Sequence, residues 1–186
     1  KDKTVQNQGG KRNKKKQKFV NVTEDFRLKK GENDATMGAA SLDLDGNGLA
    51  DLVVARESGV WLHRNTGAGF SNEQIPLAIA ENTTPLSIAF GDVDKDGWAD
   101  IYVSGYIKIT AVEGETIFAD GYGGYSYLLM NNGDNTWRDA TKEAGLYRQH
   151  NTFTAVFADL DNDLDSDLVI AQDTGRVEMY ENTGAF

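Results

Sequence analysis

The sequence of 186 residues contains no cysteine and only two histidines. Without thiols the chain can form neither a disulfide framework nor a thiolate site. Long apolar runs are missing too, since no stretch has the length of a membrane span and no signal-type apolar core follows the basic residues that end at Lys18. Common catalytic signatures are also absent: there is no Gly-x-Ser-x-Gly elbow, phosphate-binding loop or HExxH pair.

Charge is distributed unevenly along the chain. The formal net charge is −10, yet residues 1–18 hold eight of the 19 basic residues and one of the 29 acidic residues, which leaves 11 basic and 28 acidic residues from Phe19 onward. The acidic body repels phosphates, so we do not expect nucleic acid binding. The basic run has no interleaved aromatics and no helical pattern, which predicts a disordered arm or linker over residues 1–18.

A nine-residue acidic loop occurs three times. The copies are DLDGNGLAD at 43–51, DVDKDGWAD at 92–100 and DLDNDLDSD at 159–167. In each copy, oxygen-bearing side chains at positions 1, 3, 5 and 9 can turn inward toward one hard cation while the backbone wraps around it. The loops therefore predict up to three Ca²⁺ ions. Mg²⁺ fits less well because it demands octahedral geometry and keeps its waters.

The predicted ligands are the side chains at positions 1, 3, 5 and 9 and the backbone carbonyl at position 7. They are Asp43, Asp45, Asn47, Leu49 (carbonyl) and Asp51; Asp92, Asp94, Asp96, Trp98 (carbonyl) and Asp100; and Asp159, Asp161, Asp163, Asp165 (carbonyl) and Asp167. An EF-hand would need Glu at position 12, where this chain has Val54, Val103 and Ile170.

The sixth loop position separates the third loop from the other two. It is Gly48 in the first loop and Gly97 in the second, but Leu164 in the third. A positive φ is costly for a residue with a side chain, so we expect the third site to be distorted. Acidic, solvated turns without an ion are the alternative interpretation, and recurrence of one spacing argues against it.

Short β-branched runs flank every acidic loop, as is typical of strands. The runs before the loops are 35–45, 85–94 and 153–161, and those after them are 52–55, 101–104 and 168–171. Each loop is therefore predicted to close a β-hairpin. Third strands are predicted at 60–67, 127–134 and 177–184, and fourth strands open with an aromatic residue at Phe70, Trp137 and Phe186.

Four strands per unit predict an all-β fold of about three β-propeller blades, covering 35–84, 85–150 and 151–186 within a propeller region 19–186. FVNVTEDFRL at 19–28 echoes WRDATKEAGL at 137–146, which predicts an outer strand of a preceding or closing blade. Three units are fewer than a closed ring usually has. Two interpretations stay open: a segment of a larger propeller, which we favour, or a ring that the N-terminal strand closes.

The segment IAFGDVDKDGWADIYVS (88–104) resembles the FG-GAP or VCBS-type repeats of integrin α-chain propellers. YLLMNNGDNTWRDATKEAGL (127–146) is similar to the cartilage acidic protein family and its bacterial relatives. The resemblance covers about residues 19–186. It implies a seven-bladed, secreted or cell-surface propeller, extracellular or periplasmic, whose calcium loops join the first two strands of a blade.

One long insertion interrupts the pattern. Between the second and third strands, the first and third units have the four-residue turns RESG and DTGR, whereas the middle unit inserts about twenty residues over 105–125. Long loops on a rigid scaffold often carry function, which makes this insertion a candidate ligand site. Its candidate contact residues are Tyr106, Phe118, Asp120, Tyr122 and Tyr125. Packing of the insertion on its own neighbours is the open alternative.

The residues predict a calcium-stabilised scaffold that binds a protein or a glycan and has no catalytic residues. His63 falls on a predicted third strand and His150 before a predicted first strand, and neither has a partner for nucleophilic catalysis. The alternative is the propeller portion of a secreted, calcium-dependent carbohydrate-active enzyme whose catalytic carboxylates lie elsewhere.

Overall fold

The computed structural model describes residues 19, 21–23, 34–114, 122–173 and 175–184. The predicted basic arm and most of the predicted N-terminal outer strand lie outside these ranges. The first four strands are β1 (Thr36–Leu42), β2 (Asp51–Arg56), β3 (Gly59–Asn65) and β4 (Phe70–Gln74). The next four are β5 (Thr83–Gly91), β6 (Asp100–Ile107), β7 (Tyr127–Asn131) and β8 (Trp137–Asp139). The last three are β9 (Thr152–Ala158), β10 (Asp167–Gln172) and β11 (Val177–Tyr180).

These strands form three consecutive antiparallel sheets, which we number as blades. Blade 1 has the order β1-β2-β3-β4, blade 2 the order β5-β6-β7-β8, and blade 3 the order β9-β10-β11. Each sheet follows chain order from one edge to the other, and each acidic loop joins the first two strands of its blade. The predicted all-β architecture of consecutive antiparallel blades is confirmed. The fourth strand predicted to open at Phe186 falls outside the described residues.

The described part of the chain contains one short 3₁₀ helix, Ile109–Ala111, and no α-helix. Across these same ranges, no helix is long and apolar enough to span a membrane.

The blades stack face to face through two apolar clusters. β5 packs against β1 and β2, and β9 packs against β5 and β6, so the first strands of successive blades are neighbours. The cluster between blades 1 and 2 consists of Leu44, Val53, Val60, Leu62, Ile75, Ile101, Val103, Tyr127 and Leu129. The cluster between blades 2 and 3 consists of Val93, Tyr102, Leu128, Met130, Ala140, Leu146, Ala155, Leu168 and Ile170.

Strand alternation explains why blade 2 is buried on both faces. Ile101 and Val103 of β6 face blade 1, whereas Tyr102 between them faces blade 3, and all three side chains are fully buried. Because successive side chains of a strand point to opposite faces, a run that is apolar at every position suits a strand between two sheets.

The fourth strand of blade 2 is shorter than the predicted span 137–146. β8 ends at Asp139, whose Oδ1 accepts the backbone N–H and the hydroxyl of Thr141 at 3.0 and 2.5 Å. The Thr141 hydroxyl accepts the N–H of Leu128 at 2.9 Å. A side-chain hydroxyl therefore takes the place of the next backbone acceptor that β8 would offer to β7. The chain then turns, and Leu146 enters the second core.

The same turn is found near the N-terminus. The Oδ1 atom of Asn21 accepts the backbone N–H and the hydroxyl of Thr23 at 3.0 and 2.7 Å. Asn21 and Thr23 thus repeat the contacts of Asp139 and Thr141.

Candidate functional site

The three acidic loops share one hydrogen-bonding scheme. A carboxylate oxygen of the residue at position 1 accepts the backbone N–H of position 6, which closes the loop. The pairs are Asp43 with Gly48 at 2.8 Å, Asp92 with Gly97 at 3.1 Å, and Asp159 with Leu164 at 3.2 Å. Oxygen side chains at this spacing therefore shape the loop through its own backbone.

Positions 3 and 5 each make a tight turn with the backbone two residues further on. In the first loop Asp45 accepts the N–H of Asn47 at 3.2 Å, and Asn47 accepts the N–H of Leu49 at 2.8 Å. The second loop repeats these bonds through Asp94 and Asp96, and the third through Asp161 and Asp163. Side-chain oxygens of Asx residues favour such turns.

The ninth residue has a structural role that the sequence did not reveal. Asp100 is fully buried, and its two oxygens accept the N–H of Val93 in the loop and of Asn131 at the end of β7, each at 2.8 Å. Asp51 and Asp167 make the equivalent pairs of bonds in their own blades. Position 9 therefore fastens each loop to the third strand of its blade.

Burial raises the pKa of Asp100 to about 6, although the N–H groups of Asn131 and Val93 oppose this shift by stabilising the carboxylate. Asp94 also has a raised pKa, mainly through desolvation and further through the charges of Asp96 and Asp92. The second loop thus holds carboxylates in an environment that disfavours negative charge.

The donor sets fit a hard divalent cation. In each loop, three carboxylates offer oxygens that all lie within 4.8 Å of one another: Asp43, Asp45 and Asp51; Asp92, Asp94 and Asp96; and Asp159, Asp161 and Asp167. The Oδ1 atom of Asp92 is buried and has no hydrogen-bond partner. Two carboxylates about 4 Å apart repel by roughly 4 kcal/mol at an effective dielectric of 20, so a shared cation would relieve the repulsion.

The third loop keeps the backbone of the other two despite its leucine. Leu164 has a φ of 69°, compared with 82° at Gly48 and 90° at Gly97, and its side chain is 82% exposed. The hydrogen bonds of positions 1, 3, 5 and 9 are all present in this loop. The side chain of Asp165 forms an ion pair with Lys95 of the second loop.

Asparagines at the ends of the third strands connect neighbouring blades. The Nδ2 group of Asn131 donates to the carbonyl of Leu44 in the loop of blade 1 at 3.1 Å, and that of Asn182 donates to the carbonyl of Val93 in the loop of blade 2 at 2.8 Å. In the sequence these asparagines fall near the ends of the predicted third strands, and no contact between blades was predicted for them. Their recurrence at Asn65, Asn131 and Asn182, two residues before a glycine, was the available signal.

The insertion lies at the end of blade 2 opposite its acidic loop, and its described aromatics contact their neighbours. Tyr106 stacks on Phe153 with ring centroids 5.6 Å apart, and its hydroxyl donates to Asp173. Tyr125 stacks on Tyr147 at 4.8 Å.

Tyr122 folds the insertion onto itself, because its hydroxyl donates to the carbonyl of Ala111 at 2.9 Å and accepts the N–H of Glu113 at 2.8 Å. Phe118 and Asp120 lie outside the described residues.

The two histidines lie in different blades. His63 on β3 is 1% exposed, and its Nδ1 shares a hydrogen bond with the Oδ1 of Asn72 on β4. His150 precedes β9, and both of its ring nitrogens are buried without a hydrogen-bond partner. Burial lowers the pKa of both imidazoles.

Comparison with known proteins supports the repeat assignment. The family model described as FG-GAP-like repeat matches residues 43–103, about a third of the chain, which include the first two acidic loops. This region therefore contains FG-GAP-type repeats, the class of β-sheet repeat that the three blades display. No curated protein matches the chain.

Six chains of solved structures match. One belongs to a study of a lectin from Agrocybe aegerita that recognises non-reducing terminal N-acetylglucosamine. It is 18% identical, with 78% of this chain covered and a TM-score of 0.27, and this chain covers 50% of the lectin chain. The present chain thus spans about half the length of that lectin, and a likeness of this degree carries no argument about function.

Proposed function

We propose that this chain is a calcium-binding β-propeller module that binds a protein or glycan partner and catalyses no reaction. The observation that carries the proposal is the threefold recurrence of one loop, with three carboxylates within 4.8 Å in every copy. Calcium accepts six to eight oxygen ligands at about 2.3–2.6 Å and tolerates irregular geometry, so carboxylates, one carbonyl and water suffice.

Calcium would act on structure rather than chemistry. The position-9 carboxylates fasten each loop to its blade, and the remaining carboxylates repel one another unless a cation lies between them. Metal binding to such a loop contributes directly to the free energy of folding. Extracellular modules bind calcium at about 10⁻⁴–10⁻³ M, which suits the secreted or cell-surface location and the kinship with integrin-like propellers that we propose.

A thermal melt tests the calcium sites. At a calcium concentration 100-fold above Kd, one site stabilises the fold by about 2.7 kcal/mol, which corresponds to roughly 5–10 °C for a domain of this size. We expect calcium to raise Tm by at least this one-site amount and equal magnesium by less than half of the calcium shift. Asp94→Asn should reduce the shift, whereas Asp134→Asn, a control that removes an exposed carboxylate outside the loops, should not. Equal effects of calcium and magnesium would contradict the proposal.

The insertion is the proposed ligand-binding end. Its aromatic side chains lie opposite the calcium loop on a rigid blade, where long loops commonly carry recognition. Ile107 is buried on β6 and donates its N–H to Asn151 at 2.8 Å, so a deletion should begin beyond it. Replacing residues 112–121 with two glycines leaves the strand and the 3₁₀ helix intact.

A glycan array with and without calcium, read for the unchanged chain and for this deletion, tests the ligand-binding end. We expect the deletion to abolish binding while the calcium-dependent Tm shift is retained. Glycan binding that survives the deletion would refute the assignment of the ligand site to residues 112–121 but leave the calcium sites standing.

A further inference from the structure

The three acidic loops are joined by one continuous path of hydrogen bonds. It starts in blade 1, where Asp51 accepts the N–H of Leu44 at 3.0 Å. The Leu44 carbonyl accepts the side-chain amide of Asn131 at 3.1 Å, and the backbone N–H of Asn131 donates to Asp100 at 2.8 Å. One asparagine of blade 2 therefore contacts the loop of blade 1 and the position-9 carboxylate of its own loop.

The path repeats at the next blade boundary. Asp100 also accepts the N–H of Val93, and the Val93 carbonyl accepts the side-chain amide of Asn182 at 2.8 Å. The backbone N–H of Asn182 then donates to Asp167 at 2.8 Å. The same two atoms of an asparagine, the backbone nitrogen and Nδ2, thus link loop 1 to loop 2 and loop 2 to loop 3.

Burial makes this path stiff. Asn131 is 4% exposed and Asn182 is 9% exposed, so water cannot easily replace a broken bond. A buried amide left without its acceptor destabilises the fold, so a shift of the carboxylate must be accompanied by a shift of the asparagine and of the loop beyond it.

We infer that Asn131 and Asn182 are positioning residues that couple calcium binding in neighbouring loops. The inference rests on the proposed calcium sites. A cation bound in loop 1 draws Asp51, a member of the carboxylate cluster of that loop, toward itself, and Leu44 follows Asp51. Through the Leu44 carbonyl, Asn131 and the Asp100 carboxylate of loop 2 are then held in their bound arrangement. The coupling is reciprocal because it is a free energy shared between the two sites.

Isothermal titration calorimetry tests the link between loops 1 and 2. In the full chain carrying Asp161→Asn, which disables loop 3, we compare the calcium affinity of loop 1 with loop 2 intact and with loop 2 disabled by Asp94→Asn. Disabling loop 2 should weaken loop 1 at least fivefold, the lower end of typical couplings. With Asn131→Ala the same comparison should give less than a twofold change.

Asn132 provides a matched control, because its side chain bonds Thr136 rather than either loop. Asn132→Ala should leave the fivefold effect unchanged. Asn182→Ala should abolish the coupling between loops 2 and 3, measured with loop 1 disabled by Asp45→Asn, and preserve that between loops 1 and 2. This result separates a specific link from general destabilisation.

An equal loss of loop 1 affinity with and without Asn131 would overturn the coupling while leaving the calcium sites in place. An unsubstituted chain that binds no calcium at all would overturn the sites and the coupling together.

Discussion

At the sixth position of the third acidic loop, Leu164 adopts a φ of 69° with 82% of its side chain exposed. The left-handed conformation costs an L-residue about 1–2 kcal/mol, and an exposed side chain gains little packing in return. We expect Leu164→Gly to raise the free energy of unfolding by up to about 1 kcal/mol, because glycine relieves the strain but has more freedom when unfolded. Urea denaturation in a chelator measures this change.

The reciprocal substitution is the control. A Cβ at Gly97 would meet no atom within 4 Å, so Gly97→Leu tests the backbone conformation alone. We expect it to lower stability by about 1–2 kcal/mol. The loops do not require this conformation if Leu164→Gly fails to raise the free energy of unfolding and Gly97→Leu fails to lower it.

The buried ninth carboxylate should matter more than the exposed fifth one, even without metal. Asp100→Ala leaves two backbone N–H groups, those of Val93 and Asn131, without their acceptor. Each buried unsatisfied donor costs about 1–3 kcal/mol, so we expect a loss of at least about 2 kcal/mol in chelator. Asp96→Ala removes one bond at an exposed position and should cost less than about 1 kcal/mol. Equal losses in urea denaturation would refute the structural role.

His150 should make stability depend on pH. Its pKa is lowered by burial, so the unfolded chain binds the proton more tightly than the folded chain, and stability falls as pH drops below about 6.5. The raised pKa of Asp100 has the opposite effect on the pH dependence of stability. Because Asp100 is present in both the unchanged chain and His150→Gln, it does not alter the difference between them. We expect Tm to fall less between pH 7.5 and 5.5 for His150→Gln than for the unchanged chain. An identical fall would show that the imidazole takes up its proton as readily in the folded chain as in the unfolded chain.

Among the strands and loops, those with strong local signals were predictable. The acidic loops and the β-branched runs beside them fixed the hairpins, because turn chemistry and strand propensity are both local properties. The end of β8 was not predictable, since it depends on the Thr141 hydroxyl reaching the N–H of Leu128 on the neighbouring strand. Likewise, the amide contacts of Asn131 and Asn182 require knowledge of which loop lies on the next blade.

Position 105 has room only for glycine, because β6 passes close to the backbone of Tyr125, just before β7. A Cβ at Gly105 would lie 1.8 Å from the backbone carbonyl oxygen of Tyr125, and backbone cannot rotate away as a side chain can. We expect Gly105→Ala to destabilise the fold by about 1–3 kcal/mol, as overpacking does. Gly114→Ala is the control for the insertion: its added Cβ meets nothing within 4 Å, so its cost of about 1–2 kcal/mol reflects only the positive φ of 62° and should be smaller than that of Gly105→Ala. A stable Gly105→Ala protein would contradict the tight packing of the insertion base.

At the level of the whole molecule, the repeat predicted the three blades because each unit is a meander of short-range contacts. The candidate site was predictable in its carboxylates, whose spacing is visible in sequence, but not in the position-9 bonds to Asn65, Asn131 and Asn182. The behaviour of the insertion could not be predicted, since the partners of Tyr106 are Phe153 and Asp173 of the following blade.

The sheet of blade 3 leaves one face uncovered among the described residues. Val156 and Met179 flank Val169 across the three strands and are 55% and 70% exposed, while no described strand pairs with the outer edge of β11. Natural proteins usually protect an exposed apolar sheet face or sheet edge with charged residues or with another segment. We expect the exposed apolar face of blade 3 to promote self-association, so concentrated solutions of this chain should scatter light and Met179→Lys should reduce the scattering.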